Sequence, residues 1–519
     1  MAHALSPQLT IPERTQVQEF ADGRSDLADR KWRIHSVLGA AFLTPLVLLI
    51  HGYHPLADDG AIYVAGIKKL VYPNLYQPDA VFVTSHVRFS IFAHLLAGLV
   101  RYAHLPLPIV LLICHLVSIF LFLLGASQVA AKLFAAPAAR WGAVLLVACC
   151  FTLPVAGTSL FLMDPYVTAR SFATPLALFA LAATLQGSWG RAALWLTLAA
   201  LFHPLMAGFT AIFLLAVVFA QRRMWRILAA FAGLGLLTCF VVFMTTRGVP
   251  LGLASSHAAL SRSYFFLSTW EWYEYPGLVC PLVLLAATAR RMRARCAIGS
   301  ISIASTVIGS CAIIVALCFV HRSGSFLLAR LQVLRAFHMI YLVGTLLAGG
   351  LLGRLAGGRL WLTAATYATV LTIIFAGQRL TYPASDPVEW PGLKQHNAWQ
   401  QAFLWIRSNT PENAVFALDA DYIQTKGEDA QGFRATAERS SIADWYKDGG
   451  VASMFPAAQE LWWNQVQLTQ NLNQASDGER RARLLPAGAT WVVLPVRITT
   501  GLRCPYVNNA VRVCQLGVR

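Results

Sequence analysis

From Ile34 to Gly377 the chain alternates long apolar runs with short polar connections. The runs are about 18 to 22 residues long, and a helix of that length crosses a hydrocarbon core of about 30 Å. The pattern predicts about eleven spans, near residues 34–52, 108–127, 141–157, 172–188, 192–206, 207–221, 227–245, 276–290, 298–320, 329–352 and 360–378. The stretch RFSIFAHLLAGLVRYAH (Arg88 to His104) carries Arg101 and His104 and is expected as an interfacial or re-entrant helix. Ala192 to Ala220 is too long for one crossing and is expected as two short helices hinged at FHPL, where Pro204 supplies the break.

The polar connections orient this ladder. RKWR (Arg30–Arg33), QRRMWR (Gln221–Arg226), RRMRAR (Arg290–Arg295) and the pair Arg354 and Arg359 fall on one side, which the positive-inside rule makes cytoplasmic. Residues 1–33 are then a cytoplasmic tail, without the charge, apolar and small-residue pattern of a cleaved signal. The module 34–379, with its first external loop 53–107, spans the membrane, and 380–519 lies outside it.

After residue 380 the pattern changes. A helix is expected over HNAWQQAFLWIRSN (His396–Asn409), stopped before Pro411, and another helical stretch between Ala457 and Leu485. AVFALD, TWVVLPV and VRVCQL read as strands. The fold class is a polytopic α-helical membrane protein with a small C-terminal α/β extracytoplasmic domain.

Composition agrees with this class: 57% of residues are hydrophobic, only 13% are charged, and mean hydropathy is +0.56. The net charge of +17 comes mostly from the short loops, so it reports membrane orientation and not nucleic-acid binding. Eight of the ten cysteines lie in or beside apolar runs, where they act as small hydrophobes. Cys504 and Cys514 lie in the polar domain and suit a disulfide in an oxidising compartment.

The side opposite the basic loops collects the candidate chemistry. HPLADDG places Asp58 and Asp59 together just after the first span. They read either as a solvated turn or as a pair that deprotonates an acceptor hydroxyl or holds a divalent cation. Asp164 and Arg170 flank Pro165 at the start of a span, either as a helix start or as an acid and a phosphate-binding cation. His86 and His203 are further cavity candidates, and no HExxH pattern supports zinc. Arg330 and Arg335 interrupt an apolar helix, either snorkelling or gripping a lipid phosphate. In WEWYEY (Trp270–Tyr275), Glu271 is either part of a solvated aromatic belt or of a binding face.

The DD of the first loop, DPYVTAR leading into a span, LFHP about 30 residues on, and a soluble part beginning WIRSNTPENAVFALD and running to GFRATAERSSIADWYKDG appear in that order. On these the chain resembles the GT-C superfamily of integral-membrane glycosyltransferases. It is most similar to the poorly characterised bacterial branch related to protein mannosyltransferases and aminoarabinose transferases. The resemblance implies a polyprenyl-phosphate sugar donor, a glycan, lipid or protein acceptor, and inverting transfer on the outer face of a bacterial plasma membrane. It implies Asp58 or Asp59 as general base, Asp164 as second acid, and Arg330 or Arg335 on the donor phosphate. Mg²⁺ or Mn²⁺ is compatible with two carboxylates near a phosphate. The WWDxG pattern of oligosaccharyltransferases is absent, so transfer of a whole glycan to Asn is not expected. A lipid or glycan transporter is the rival reading, but no internal repeat marks one. A non-catalytic scaffold in envelope polysaccharide assembly is the third.

Overall fold

The structure is a computed structural model that describes residues 11–247, 252–321, 325–356 and 359–517, with backbone alone for 11–29. The start of the expected tail and residues 248–251 of the long loop after residue 245 lie outside the described residues.

The chain opens on α1 (Ile11–His51), so the expected tail continues as helix into the first apolar segment. The first loop then folds into α2 (Asp58–Val71), α3 (Ala80–Thr84) and α4 (Phe92–Tyr102). The path turns by 103° between residues 80–89 and α4. α5 (Leu107–Leu133), α6 (Pro137–Cys149), α7 (Ala169–Leu185), α8 (Trp189–Phe202), α9 (Pro204–Gln221) and α10 (Trp225–Thr246) follow. Next come α11 (Leu253–Leu260), α12 (Tyr275–Arg291), α13 (Ala297–Phe319), α14 (Phe326–Leu331), α15 (Phe337–Leu355) and α16 (Leu360–Thr381).

Seven of these segments are long and apolar enough to cross a bilayer. The number is below the eleven expected because α6, α7, α8 and α12 run only 13, 17, 14 and 17 residues. α6 and α8 are short for a full crossing at 1.5 Å per residue, and α7 and α12 stand at the lower limit of that length. The chain does break at His203, which ends α8 and caps α9.

Close backbone packing holds the bundle together where α6 meets α15. A Cβ at Gly142 would lie 2.4 Å from the Gly349 carbonyl and 2.7 Å from the Gly353 Cα. One at Gly349 would lie 2.5 Å from the Gly142 carbonyl. Small residues at a helix crossing let the two backbones touch. Gly142→Ala is therefore expected to cost about 1–3 kcal/mol of stability, read as a lower melting temperature in detergent, while Gly344→Ala, with open space around it, leaves that temperature unchanged.

The C-terminal domain is built on a five-stranded sheet of order β2-β1-β3-β5-β4. The strands are β1 (Val415–Ala417), β2 (Ser440–Ser441), β3 (Trp491–Pro495), β4 (Tyr506–Val507) and β5 (Val511–Gln515). β1 runs parallel to β2 and β3, and β5 runs antiparallel to β3 and β4. All five residues of central β3 are buried, as expected of a strand covered on both faces. Trp491 and Val493 pack with Trp399, Phe403 and Ile406 of α17 (Ala398–Asn409). Val492 and Leu494 face the other way, onto Leu472 and Leu484. α18 (Phe433–Ala437), α19 (Lys447–Met454), α20 (Pro456–Thr469) and α21 (Asp477–Leu484) complete the domain. A disulfide joins Cys504 to Cys514.

The domain sits on the first loop through buried ionic contacts. Arg434 pairs with Asp79 of the loop and donates to both oxygens of Asp448 at 2.7 and 2.9 Å. Lys68 of α2 donates to the Ala435 carbonyl at 2.7 Å and pairs with Glu438 at 2.6 Å. Asp444 lies in the same network. Burial, and then the Asp448 carboxylate, push its carboxyl up to about 8 against the pull of Arg434 and the Lys447 N–H. Arg262 also faces it. A carboxyl raised in the fold stabilises fully below its ordinary range and loses that contribution as pH rises through the folded value. The melting temperature is expected to fall between about pH 4 and 8 and Asp444→Asn to flatten the decline; an equal decline in the variant would remove Asp444 as the cause.

Candidate functional site

One helix organises the site. On α2, Asp58, Asp59, Ile62 and Tyr63 recur at helical spacing and line one cavity of about 630 Å³. Val64, Lys68 and Val71 point away into a second cavity of about 610 Å³. The first cavity lies where α2, the start of α7, the α8–α9 junction, the approach to α15 and α19 converge.

The two acids differ in their engagement. Asp58 opens the helix in a left-handed conformation, φ 46°, which a non-glycine residue holds only when its surroundings dictate it. Its N–H donates to Gln431 Oε1, its Oδ2 accepts from the Tyr166 hydroxyl at 3.0 Å, and its Oδ1 pairs with Lys447. Asp59 has a single described partner, Lys447 at 3.3 Å, and its side chain is 41% exposed. The two side chains are similarly exposed, 38% for Asp58 and 41% for Asp59; they differ in that both Asp58 oxygens are engaged, while Asp59 Oδ2 has no described partner.

Asp164 and Arg170 are paired with each other. Arg170 Nη2 and Nε donate to Asp164 Oδ2 at 2.7 and 3.1 Å, and Arg170 also lines the cavity. Asp164 is absent from the cavity wall and holds Arg170 from behind. His203 breaks the chain between α8 and α9, where its Nδ1 accepts from the Met206 N–H at 3.4 Å, and it too lines the cavity with His86. Burial holds the His86 imidazole down to about 4, so it is neutral near pH 7.

Of the two arginines near α15, Arg335 lines the cavity and Arg330 does not. The reason is local: α14 ends at Gln332 in a left-handed conformation, φ 52°, so the two arginines do not share a continuous helical face. The Arg335 side chain makes no ion pair or hydrogen bond among the described residues. Its guanidinium lies 5.6 Å from the Tyr264 ring, and its Nε is buried without a partner. Glu271 stands outside the cavity and exposed, with its N–H donating to Glu274 Oε2 at 2.8 Å.

The same shortage of partners recurs around the wall. Both ring nitrogens of His86, the Thr168 hydroxyl and the Gln332 side-chain amide oxygen Oε1 are buried and unpartnered, and all three residues line the cavity. Buried polar atoms are satisfied in native proteins by protein, water or ligand. At this cavity either water or a polar guest can satisfy them.

Lys447, Arg262 and Tyr446 are among the wall residues that the sequence reading did not single out. Lys447 meets both acids. Arg262 donates to the carbonyls of Tyr446 and Trp445 at 2.6 and 2.9 Å, and Tyr446 itself lines the cavity. Burial alone draws the Lys447 ammonium down to about 7; the two carboxylates against it favour the charged form. Only the stretch ending YKDG, already singled out for its place in the chain, pointed near them.

The divalent cation expected at the acid pair does not fit this donor set. Among the described residues no group of three or more His, Cys, Asp or Glu side chains is arranged for a metal. The point between Asp58 and Asp59 is taken by the Lys447 ammonium.

No protein-family model matches the chain, and no curated protein matches it. Among solved structures it is similar to the apo form of the oligosaccharyltransferase of Archaeoglobus fulgidus. The two share 12% identity with a TM-score of 0.47, over 89% of this chain and 69% of that one.

Proposed function

We propose that the protein is a membrane glycosyltransferase that moves a sugar from a polyprenyl-phosphate donor to an envelope acceptor on the extracytoplasmic side. The observation that carries this reading is Arg335, a cation without an anionic partner, in the same cavity as the open carboxylate of Asp59. An enclosed charge left unpaired is costly, and a planar guanidinium is suited to a phosphate. Asp59 takes the proton from the acceptor hydroxyl as its oxygen attacks the anomeric carbon. The bond from that carbon to the phosphate oxygen breaks, and the departing phosphate carries its charge toward Arg335. His86, Thr168 and Gln332 offer their unpartnered polar atoms to sugar hydroxyls. The reading agrees with the resemblance carried by the DD, DPYVTAR and LFHP segments.

The test is turnover by the purified protein in lipid nanodiscs, with labelled polyprenyl-phosphate sugars as donors and an envelope extract as acceptor. Release of polyprenyl phosphate with inversion at the anomeric carbon is expected. Absence of turnover, together with counterflow of the intact lipid-linked sugar in vesicles, would overturn the proposal in favour of transport.

A further inference from the structure

The acid pair is joined by a cation that the chain itself supplies from its C-terminal domain. We infer that Lys447 is the positioning cation of this pair: it holds Asp58 in place, orients Asp59, and takes the seat that a divalent metal would need.

Three observations carry this. First, the Lys447 ammonium contacts Oδ1 of both Asp58 and Asp59, so two carboxylate oxygens converge on one point and that point is filled. A small divalent cation can be held by one or two carboxylates with water filling its other positions, so what keeps it from these two acids is the ammonium between them.

Second, Lys447 is set in place by a buried scaffold. Its N–H donates to Asp444 Oδ1 at 2.5 Å, and the Asp444 N–H donates to Asp448 Oδ2 at 3.0 Å. Asp448 is gripped by Arg434, which also holds Asp79. Trp462 Nε1 donates to the Asp444 carbonyl at 3.0 Å. Arg262 takes the two preceding carbonyls, an approach that Gly449 leaves open, since a Cβ there would lie 3.2 Å from its Nη2. Fixing the backbone on this many sides sets the Lys447 Cα where its ammonium reaches both acids.

Third, the residue belongs to the domain and the acids belong to the first loop. The pair therefore meets its cation only while the two parts are docked.

The inference rests on the transferase reading for what Asp59 does, but the cation chemistry is read without turnover. The full-length protein in detergent is titrated with Mn²⁺ and free ion is followed by electron paramagnetic resonance. Wild type is expected to show no Mn²⁺ site that depends on Asp59. Lys447→Ala and Lys447→Gln, each checked for folding by size exclusion and melting, should gain one, about tenfold or more tighter than any wild-type binding, and lose it when Asp59→Asn is added. A wild-type site abolished by Asp59→Asn overturns the inference, as does a folded Lys447 variant without a gained site. Should the gained site appear in a protein that turns over no lipid-linked sugar, the transferase reading falls and the assignment of Lys447 stands.

Discussion

Arg335→Met is expected to cut donor turnover about 30-fold or more without weakening the fold. A residue that merely completes a structure loses stability when truncated; Arg335 has no carboxylate and no hydrogen-bond acceptor to lose among the described residues. Exchanging an enclosed, unpaired charge for an apolar side chain of similar length removes a desolvation cost, so stability should rise by about 1 kcal/mol. Function moves the other way. Losing a charged hydrogen-bond partner for a bound phosphate costs about 2–5 kcal/mol, roughly 30-fold or more in kcat/KM. Arg335→Lys should recover only part of this, because an ammonium keeps the charge and loses the planar fork. Arg330→Met, outside the cavity, should leave kcat/KM unchanged. A melting temperature that falls together with activity in Arg335→Met would assign the residue to the fold instead.

That contrast between two arginines five residues apart also marks how far the sequence could be read. The apolar spacing placed the helices, and the clustering of polar residues at alternate connections put Asp58, Asp59, Arg170, His86 and His203 at one end of the bundle. All of them line the cavity. Arg330 and Arg335 read as equivalent because a left-handed residue at Gln332 leaves no mark in an apolar run: glutamine is not a residue that announces positive φ. Glu271 sat among aromatics that fit a belt as well as a binding face, and composition has no means of separating the two. The count of long apolar helices falls below the eleven expected spans for a related reason. Apolar runs continue through the ends of α6 and α7, so hydropathy registers their flanking turns as span. Lys447 and Arg262 were hidden most deeply. Arg262 lies in a long connecting loop and Lys447 in the polar C-terminal domain, where charged residues are ordinary. Only the tertiary contact across nearly 390 residues of chain gives this lysine a role.

Separating the two aspartates is the sharpest remaining expectation, because they are neighbours in sequence with different surroundings. Asp59→Asn removes a proton acceptor whose open oxygen faces the cavity and whose side chain is 41% exposed. A general base contributes about 10²–10⁴-fold, so kcat should fall by that range while KM for the donor and the melting temperature stay close to wild type. Asp58→Asn acts on the frame. It weakens a charge-assisted contact to Lys447 and the bond from Tyr166, and such partly buried charged contacts contribute about 1.5–3 kcal/mol. The melting temperature should fall, and the loss in kcat should be smaller than in Asp59→Asn. Tyr166→Phe, which removes one donor to Asp58 and leaves Asp59 untouched, should reproduce the Asp58→Asn pattern in milder form. If Asp58→Asn instead lost the greater part of kcat with its melting temperature intact, the roles would be reversed, and the carboxylate held by Tyr166 and Lys447 would be the base.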